Sequence, residues 1–309
     1  AEGNHWTRQN TLQSDLAPSG FDEMGATWGG WNGPSVDLIK AFEEDPLSKD
    51  RVNVDARRKA TLMMAGDVYD YFWTDRAHTF SLGGFEICDF YFNTDEATLA
   101  SRDKLTGGGT FQSATGAQEV KHLVGDNADH IAGIGYPMQR MASSLATHIL
   151  RLADVYLILA EAQALIDGGT TTNADALDAF NKVHNRSCTW KEETSITWDM
   201  IWKERRLELA CEGDRWYDFV RLSYYNLDKA IAELKDQERG SYYGLSDAYK
   251  TWFTSGYETW DLSQAGLNSI KLTNVTKSMF TLPFPDTDLA MNPHLSEEPV
   301  DVDINQFNY

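Results

Sequence analysis

Three stretches in the middle of the chain decide its fold: RLADVYLILAEAQALIDGG (151–169), NADALDAFNKVHNRS (173–187) and TWDMIWKERRLELACEGDRWYDFVRL (197–222). Each stretch repeats apolar residues at helical spacing, and helix-capping residues or glycines stand at its ends. The stretches therefore predict successive amphipathic helices. The third stretch also carries a row of charges: Glu204, Arg205, Arg206, Glu208, Glu212, Arg215, Asp218 and Arg221.

The first of these helices is predicted over about 147–167. Its large apolar residues are expected to face the core: Leu152, Val155, Tyr156, Leu159 and Ile166. The second helix is predicted to start near Thr172, which with Asp175 forms a capping box. The third has Thr197 as its expected N-cap and is predicted to stop at Gly213. Helical pairs of this length stack in the manner of tetratricopeptide repeats.

The rest of the chain is irregular, with glycine-rich loops, short strand-like pieces and turns fixed by proline. We therefore predict a mainly α fold, with tetratricopeptide-repeat-like helical pairs packed against an irregular, loop-rich half that has a few short strands. The helical repeat block covers 147–238, and the irregular half covers 1–146 and 239–309. Together they are expected to form a single domain, 1–309.

Composition excludes several classes of function. The net charge of −20 opposes binding to nucleic acid, because a phosphate backbone would be repelled. No apolar run approaches the ~20 residues that span a bilayer. The three cysteines lack zinc-site spacing, and no His pair has ligand spacing, so neither a metal nor a cofactor is predicted. For KHLVGDNADH (121–130), a solvated polar loop and a calcium site both remain open.

The row of charges has two interpretations. Glycoside hydrolysis needs two acids that face each other across a cleft. A structural network of ion pairs instead needs each acid to lie near a base, and here each acid has an Arg within helical reach. An adjacent Arg lowers the pKa of a carboxyl group, whereas a general acid needs a raised pKa. The pattern favours the structural network.

Tryptophans in glycine-rich loops are the candidate ligand-binding residues. Trp28 and Trp31 flank Gly29-Gly30, and Asn32 follows them. An indole face can stack on a sugar ring, and the Asn amide can bond its hydroxyls. Trp6 lies in a similar loop. The alternative is that these rings cover the core. Second-rank candidates are Trp73, Tyr242, Tyr243, Trp252, Tyr257 and Trp260, whereas Trp198, Trp202 and Trp216 are predicted to pack in the core.

Four segments resemble one known family. They are RLADVYLILAE (151–161), ERRLELACEGDRWYDFVR (204–221), LPFPDTDLAMNPHL (282–295) and a Pro-Ser opening with a later Asp-Ala-Arg within 34–57. In order and spacing they are similar to the C-terminal part of the SusD/RagB family of nutrient-binding outer-membrane lipoproteins of Bacteroidetes. Asp154 replaces the family's Glu, Phe219 its Leu and Ala56 its Pro.

The resemblance implies a non-enzymatic protein on the outer face of the outer membrane, held by a lipid anchor that this chain does not contain. It implies a glycan ligand and a SusC-like TonB-dependent transporter as partner. A peptide-binding member of the family is the first alternative, and an α-helical glycoside hydrolase is the second. Family members carry further helical repeats upstream, so we expect either a shortened member or a portion of a longer one.

Overall fold

The structure is a computed structural model. It describes residues 33–51, 55–72, 80–93, 110–123, 148–187 and 192–298, and the single positions 128, 131, 132 and 135. Among these residues the helices are α1 Val36–Ala41, α2 Ala56–Thr61, α3 Ile87–Phe92, α4 Leu152–Ile166, α5 Ala174–Ser187, α6 Trp198–Glu208, α7 Asp214–Tyr225, α8 Leu227–Asp236, α9 Leu245–Thr254 and α10 Asp286–Met291. Single turns of 3₁₀-helix cover Lys277–Phe280 and Pro293–Ser296.

The described strands are short and form three antiparallel pairs. β1 (Leu62–Met64) pairs with β2 (Ala117–Glu119), β3 (Thr170–Thr171) with β4 (Ile196–Thr197), and β5 (Ser241–Tyr243) with β6 (Gly266–Asn268). The prediction of a mainly α fold is confirmed: successive helices pack as pairs, and a half with short helices and few strands packs beside them.

Local sequence explains where most helices begin. The Ser35 side chain accepts a hydrogen bond from the Leu38 amide, and that of Thr197 accepts one from Met200, as the sequence predicts for Thr197. The predicted cap at Thr172 is wrong. Asn173, which directly precedes the first residue of α5, accepts from the amides of residues 175 and 176 and caps the helix instead.

The end of α6 also differs from the prediction. The helix stops at Glu208, with Leu209 as its C-cap, rather than at Gly213. Gly213 adopts a left-handed conformation (φ 95°) and is the N-cap residue directly before α7. The turn between α6 and α7 changes the direction of the chain, because a residue in the left-handed conformation cannot continue a right-handed helix. Glycine adopts that conformation at little cost in free energy.

The predicted buried face of α4 is wrong. Leu152, Val155, Leu159 and Ile166 are exposed, and Tyr156 is only partly buried. The face that packs on α5 and α6 is made of small residues and one leucine: Ala153, Leu157, Ala160 and Ala164. Large apolar residues occupy nearly every other position, so their spacing does not reveal the inner face. Three of the four alanines of α4 lie on that face, where small side chains let neighbouring helices approach closely, whereas Ala162 is exposed.

The described residues form four clusters of buried apolar side chains, and two of them show how the helical block and the irregular half are packed. In the helical block, Phe180, Val183, Ile196 and Ile201 pack against the alanine face of α4. In the irregular half, an aromatic cluster surrounds α3 and α9, and its fully buried members include Phe85, Phe90, Tyr91 and Tyr249. None of the helices in the described part of the chain is long and apolar enough to cross a membrane.

The orientation of α4 can be tested by truncating one inward and one outward leucine. Leu157→Ala should lower the free energy of unfolding by about 2–4 kcal/mol, because Leu157 has no exposed surface and its loss leaves a cavity. Leu159→Ala, on a side chain that is 46% exposed, should change it by less than about 1 kcal/mol. Urea denaturation of both variants gives the comparison, and equal losses would contradict the observed orientation.

Candidate functional site

Glu208 lies at the centre of a buried network of ion pairs. Its carboxylate accepts hydrogen bonds from Arg151 (2.6 Å) and Arg57 (3.1 Å) and also contacts Arg186. The three arginines come from the start of α4, from α2 and from the end of α5. A buried carboxylate is tolerated when it is paired and hydrogen-bonded, so this side chain ties four separate segments together.

The neighbouring acids of the same segment extend the network on either side. Glu204 accepts from Arg57 at 2.6 Å and lies 2.9 Å from Nδ1 of His184. Glu212 accepts two hydrogen bonds from Arg151, at 2.6 and 2.8 Å. This is the bidentate geometry in which a guanidinium binds a carboxylate. Lys121 also pairs with Glu212.

Arg205 and Arg221 form the second part of the network. Arg205 joins Asp154 (2.6 Å) on α4 to Asp218 (2.7 Å) on α7. Arg221 donates to both oxygens of Glu161, at 2.5 and 2.8 Å, and to Asp218 at 3.1 Å. The acidic and basic side chains of the family-like segment 151–161 therefore pair with those of the family-like segment 204–221.

The structural interpretation of the charge row is confirmed, but the partners differ from those expected. Most pairs cross between helices rather than run along one helix. Consecutive residues of a helix point about 100° apart. Glu204, Arg205 and Arg206 therefore reach three different neighbours, and Arg206 pairs with Asp37 of α1. Arg57 and Arg151 pair with acids of the charge row, although the spacing of that row does not predict them as partners. Both lie in segments that carry the family resemblance.

The pKa values agree with a structural role for these acids. Burial alone would raise the pKa of Glu208, but Arg151, with Arg186 and Arg57, lowers it below its usual value. The same balance lowers the pKa of Glu212, where Arg151 and Lys121 outweigh burial. Both carboxylates are therefore held ionised, which opposes the proton donation that a general acid must perform.

A cavity of about 740 Å³ opens beside this network. Its walls come from six segments: α2, residues 69–72, the segment that follows β2, the start of α4, the end of α5, and the end of α6 with the turn after it. Its charged lining residues include Glu208, Glu212 and Arg151, and its aromatic lining residues are Tyr69, Tyr71 and Phe72. The volume is in the range of small-molecule pockets.

Basic side chains outnumber acidic ones around the cavity. It is lined by Arg57, Lys59, Lys121, Arg151 and Arg186, whereas its lining carboxylates among the described residues, Glu208 and Glu212, are already paired with arginine or lysine. Among its aromatic residues, Tyr71 is half exposed. An exposed ring beside hydrogen-bonding groups is the combination that sugars require.

The first-rank ligand residues and the second-rank residue Trp73 lie outside the described residues. These are Trp6, Trp28, Trp31, Asn32 and Trp73. Trp73 directly follows Phe72, which lines the cavity. The role of all five therefore stays a prediction.

Most of the second-rank aromatics are structural. Trp252 is buried, with the rings of Tyr257 and Trp260 edge-on at 4.8 Å. The Trp260 indole donates to the Leu47 carbonyl. The Tyr257 hydroxyl donates to Glu86, a fully buried carboxylate. These rings serve the aromatic core, whereas Tyr243 is half exposed on β5.

The helical tryptophans behave largely as predicted. Trp198 and Trp202 are buried and stack on each other at 4.8 Å. Arg215 and Lys229 each lie 3.8 Å from the centre of one of these rings. Trp216 differs: it stacks on Phe280 but keeps more than a third of its surface exposed.

Within the described residues, no group of three His, Cys, Asp or Glu side chains is arranged to hold a metal ion. Most of the segment weighed as a calcium loop, from 124 onwards, lies outside the described residues apart from position 128. The calcium alternative therefore stays untested.

Comparison with known proteins gives consistent matches. A family model described as the SusD family matches residues 4–300. A protein of Bacteroides ovatus described as SusD-like is 30% identical over an alignment 316 residues long, which covers 97% of this chain and 48% of that protein. The chain thus spans about half the length of the curated relative it matches.

Solved structures show the same relation. One crystal structure, described with a xylogluco-oligosaccharide, is 26% identical to this chain and has a TM-score of 0.67. The match covers 99% of this chain and 53% of the chain in that structure. A second crystal structure is 27% identical, also with a TM-score of 0.67, and the match covers 98% of this chain and 53% of that chain. A SusD-like protein from Bacteroides fragilis, 16% identical with a TM-score of 0.56 over 94% and 51%, shares the fold.

The central carboxylate gives a direct test of the network. Glu208→Gln should lower the free energy of unfolding by about 3–5 kcal/mol, because it removes the buried negative charge that Arg57, Arg151 and Arg186 share. Asp178→Asn is the matched control, since Asp178 pairs with Lys182 on the surface and its loss should be too small to resolve. Urea denaturation measures both, and a loss for Glu208→Gln no larger than the control would contradict the network's role.

The lowered pKa of Glu212 predicts a dependence on pH. A carboxyl group with a lower pKa in the folded state stabilises fully above its unfolded pKa, near 4.5, and less as pH falls through the folded value. The stability difference between the wild type and Glu212→Gln should therefore shrink as pH falls below about 4.5. Buried Glu86, whose pKa is raised by burial, has the opposite effect but is common to both proteins. Denaturation curves at several pH values measure the difference, and a constant difference would contradict the assignment.

Proposed function

Because the chain belongs to the SusD family, we propose that it binds oligosaccharide or polysaccharide at the cell surface and delivers it to a SusC-like TonB-dependent transporter. The observation that carries the proposal is the similar crystal structure described with a xylogluco-oligosaccharide, which aligns with nearly the whole chain. The protein acts on the outer face of the outer membrane, held there by a lipid anchor. A chain that fails to co-purify with a SusC-like barrel would contradict the delivery step.

The proposed ligand contacts are loop aromatics. Trp28 and Trp31 supply flat surfaces for sugar rings, Asn32 supplies hydrogen bonds, and Trp6 and Trp73 extend the surface. The ion-pair network supports this assignment indirectly. The charged side chains of α4, α6 and α7 are paired with each other and hold these helices together. Because they are engaged in these pairs, we assign glycan recognition to residues outside the network.

The proposed activity is binding without hydrolysis. The acids that glycoside hydrolysis would need are engaged by arginines, and the pKa of Glu208 is lowered rather than raised. A hydrolase would release reducing sugar from a polysaccharide, and one acid substitution would abolish that release. A peptide-binding member would instead be stabilised against heat by extended peptides and not by sugars.

The binding surface is tested by alanine substitutions. Trp28→Ala and Trp31→Ala should each weaken binding of a xyloglucan oligosaccharide by at least about tenfold, equivalent to about 1.4 kcal/mol, because a stacking surface is lost. Calorimetric titration measures the affinity, and the melting temperature should stay within about 2 °C of the wild type.

Two matched variants make this test specific. Tyr224→Ala removes a highly exposed aromatic residue from α7 and should leave affinity unchanged. Tyr71→Ala removes an aromatic residue from the cavity. If Tyr71→Ala abolishes binding while the Trp variants do not, the ligand occupies the cavity and the loop assignment is wrong. If the unsubstituted chain binds none of a panel of glycans, the proposed function itself is contradicted.

A further inference from the structure

The cavity beside the ion-pair network has a lining of opposite sign to the protein as a whole. The chain has a net charge of −20, yet five of its 27 lysine and arginine residues line this one cavity. Among the described lining residues, only Glu208 and Glu212 carry a negative charge. A concave site lined by an excess of one charge raises the local concentration of ligands of the other sign. The charge of the lining therefore points to an anionic ligand.

Two of the five cations have charge to offer to a ligand. The other three are engaged by carboxylates of the network: Arg57, Arg151 and Lys121. Arg186 contacts Glu208 through Nη2 alone, and it shares that carboxylate with two other arginines. Its side chain is 58% exposed, and in the described part of the chain its Nε and Nη1 donate no hydrogen bond. Two donors of this guanidinium are therefore available.

Lys59 is the second available cation. It lies on α2 and is exposed, and no carboxylate of the residues that the structure describes forms an ion pair with it. Its ammonium group contacts the Val68 carbonyl and lies 4.7 Å from the centre of the Tyr69 ring. A carbonyl dipole and a ring face attract a cation, but neither carries the full negative charge that would compensate it. The charge of Lys59 thus remains available to an anion in the cavity.

Lys59 lies at the edge of the aromatic part of the lining. The Tyr69 ring is 5.2 Å from the ring of Phe72, which in turn is 5.2 Å from the ring of Tyr71. Tyr69 and Phe72 are buried, whereas Tyr71 is half exposed. The buried rings support Tyr71, whose exposed surface can stack on the ring of a sugar. An available cation and an available aromatic surface therefore belong to one contiguous group of side chains.

An acidic sugar matches this combination better than other anions. A carboxylate accepts charge-assisted hydrogen bonds from guanidinium and ammonium groups, and the ring that carries it can stack on an aromatic side chain. The cavity, at about 740 Å³, is far larger than an inorganic anion needs. A nucleic acid would bring a long row of phosphates to a protein of net charge −20. A short acidic saccharide responds mainly to the local cations, because charges more than about 10 Å away are screened by salt.

We propose that this cavity is a subsite for an acidic sugar, a uronic acid unit of a polysaccharide. Lys59 and Arg186 neutralise the carboxylate, and Tyr71 supplies the surface on which the sugar ring stacks. The proposal rests on the glycan-binding function proposed above and adds to it the class of sugar. A neutral saccharide of the same shape gains nothing from the two cations, so the cavity distinguishes uronic acids from neutral sugars by charge.

The test uses two ligands that differ only in charge. One is an oligogalacturonate, and the other is the same oligosaccharide with its carboxyl groups methyl-esterified. Calorimetric titration should show that the chain binds the charged form at least about tenfold more tightly, because the ester accepts no charge-assisted hydrogen bond. Raising the salt concentration from about 20 mM to about 200 mM should weaken binding of the charged form alone.

Substitutions then locate the site. Lys59→Met and Arg186→Gln should each lower the affinity for the oligogalacturonate by about fivefold or more, and should leave the affinity for a xyloglucan oligosaccharide unchanged. Glu208 keeps two other arginines in the Arg186 variant, and Lys59 has no ion pair to lose, so both variants should fold. Their melting temperatures check this. Lys250→Met and Arg239→Gln are the matched controls, because each removes an exposed cation that does not line the cavity.

Each other outcome overturns the proposal. Equal affinities for the charged and esterified ligands would mean that the cavity does not read charge. Losses of the same size in the control variants would mean that cations anywhere on the surface attract the ligand. Tighter binding of an oligoglutamate would identify an acidic peptide as the ligand. A chain that binds the xyloglucan oligosaccharide but not the oligogalacturonate lacks the acidic subsite and keeps the proposed function, whereas a chain that binds no glycan contradicts both.

Discussion

The burial of one carboxylate sets the arrangement of the helical block. Glu208 is nearly inaccessible to water, and its charge is balanced only if Arg57, Arg151 and Arg186 arrive from three other segments. A buried charge without partners is strongly unfavourable, so a helix that docked in another register would lose more than apolar contacts. Apolar packing alone tolerates some sliding between helices, whereas paired charges at fixed positions do not. The network therefore specifies the arrangement as well as stabilising it.

Local features of this fold could be predicted from the sequence, and features that depend on neighbours could not. The helices and the Thr197 cap follow from periodicity and from side chains that bond nearby amides. The inner face of α4 could not be derived from periodicity, because the helix is apolar on both sides. Small residues and the acids of the family-like segment are the signals that mark it. Likewise, the charge row predicts a network, but its partners are distant in the chain: Arg151 lies 57 residues from Glu208, and Arg57 lies 147 residues from Glu204.

The aromatic candidates for the binding site also show that contacts with distant residues cannot be predicted from local sequence. Trp252 and Trp260 lie in a segment whose composition resembles that of a ligand-binding loop. Their indole N–H groups nevertheless donate to backbone carbonyls, and their rings pack on each other. Exposure depends on what the rest of the chain places around a ring, and that information is not local. The cavity beside the network could not be predicted either, because its walls come from six separate segments.

The network and the apolar face of α4 meet at Glu161 and Arg221. Arg221 still has more than a third of its side chain in water, while Glu161 is buried. Burying a cation is unfavourable when it must find partners afterwards. Here Arg221 already bonds both Glu161 oxygens and Asp218, and the Tyr225 hydroxyl completes the group. The guanidinium of Arg221 therefore has its hydrogen bonds made and its charge compensated while it is still partly in water. This preorganisation lets a strong ion pair lie beside the exposed apolar residues of α4 without leaving either Glu161 or Arg221 uncompensated.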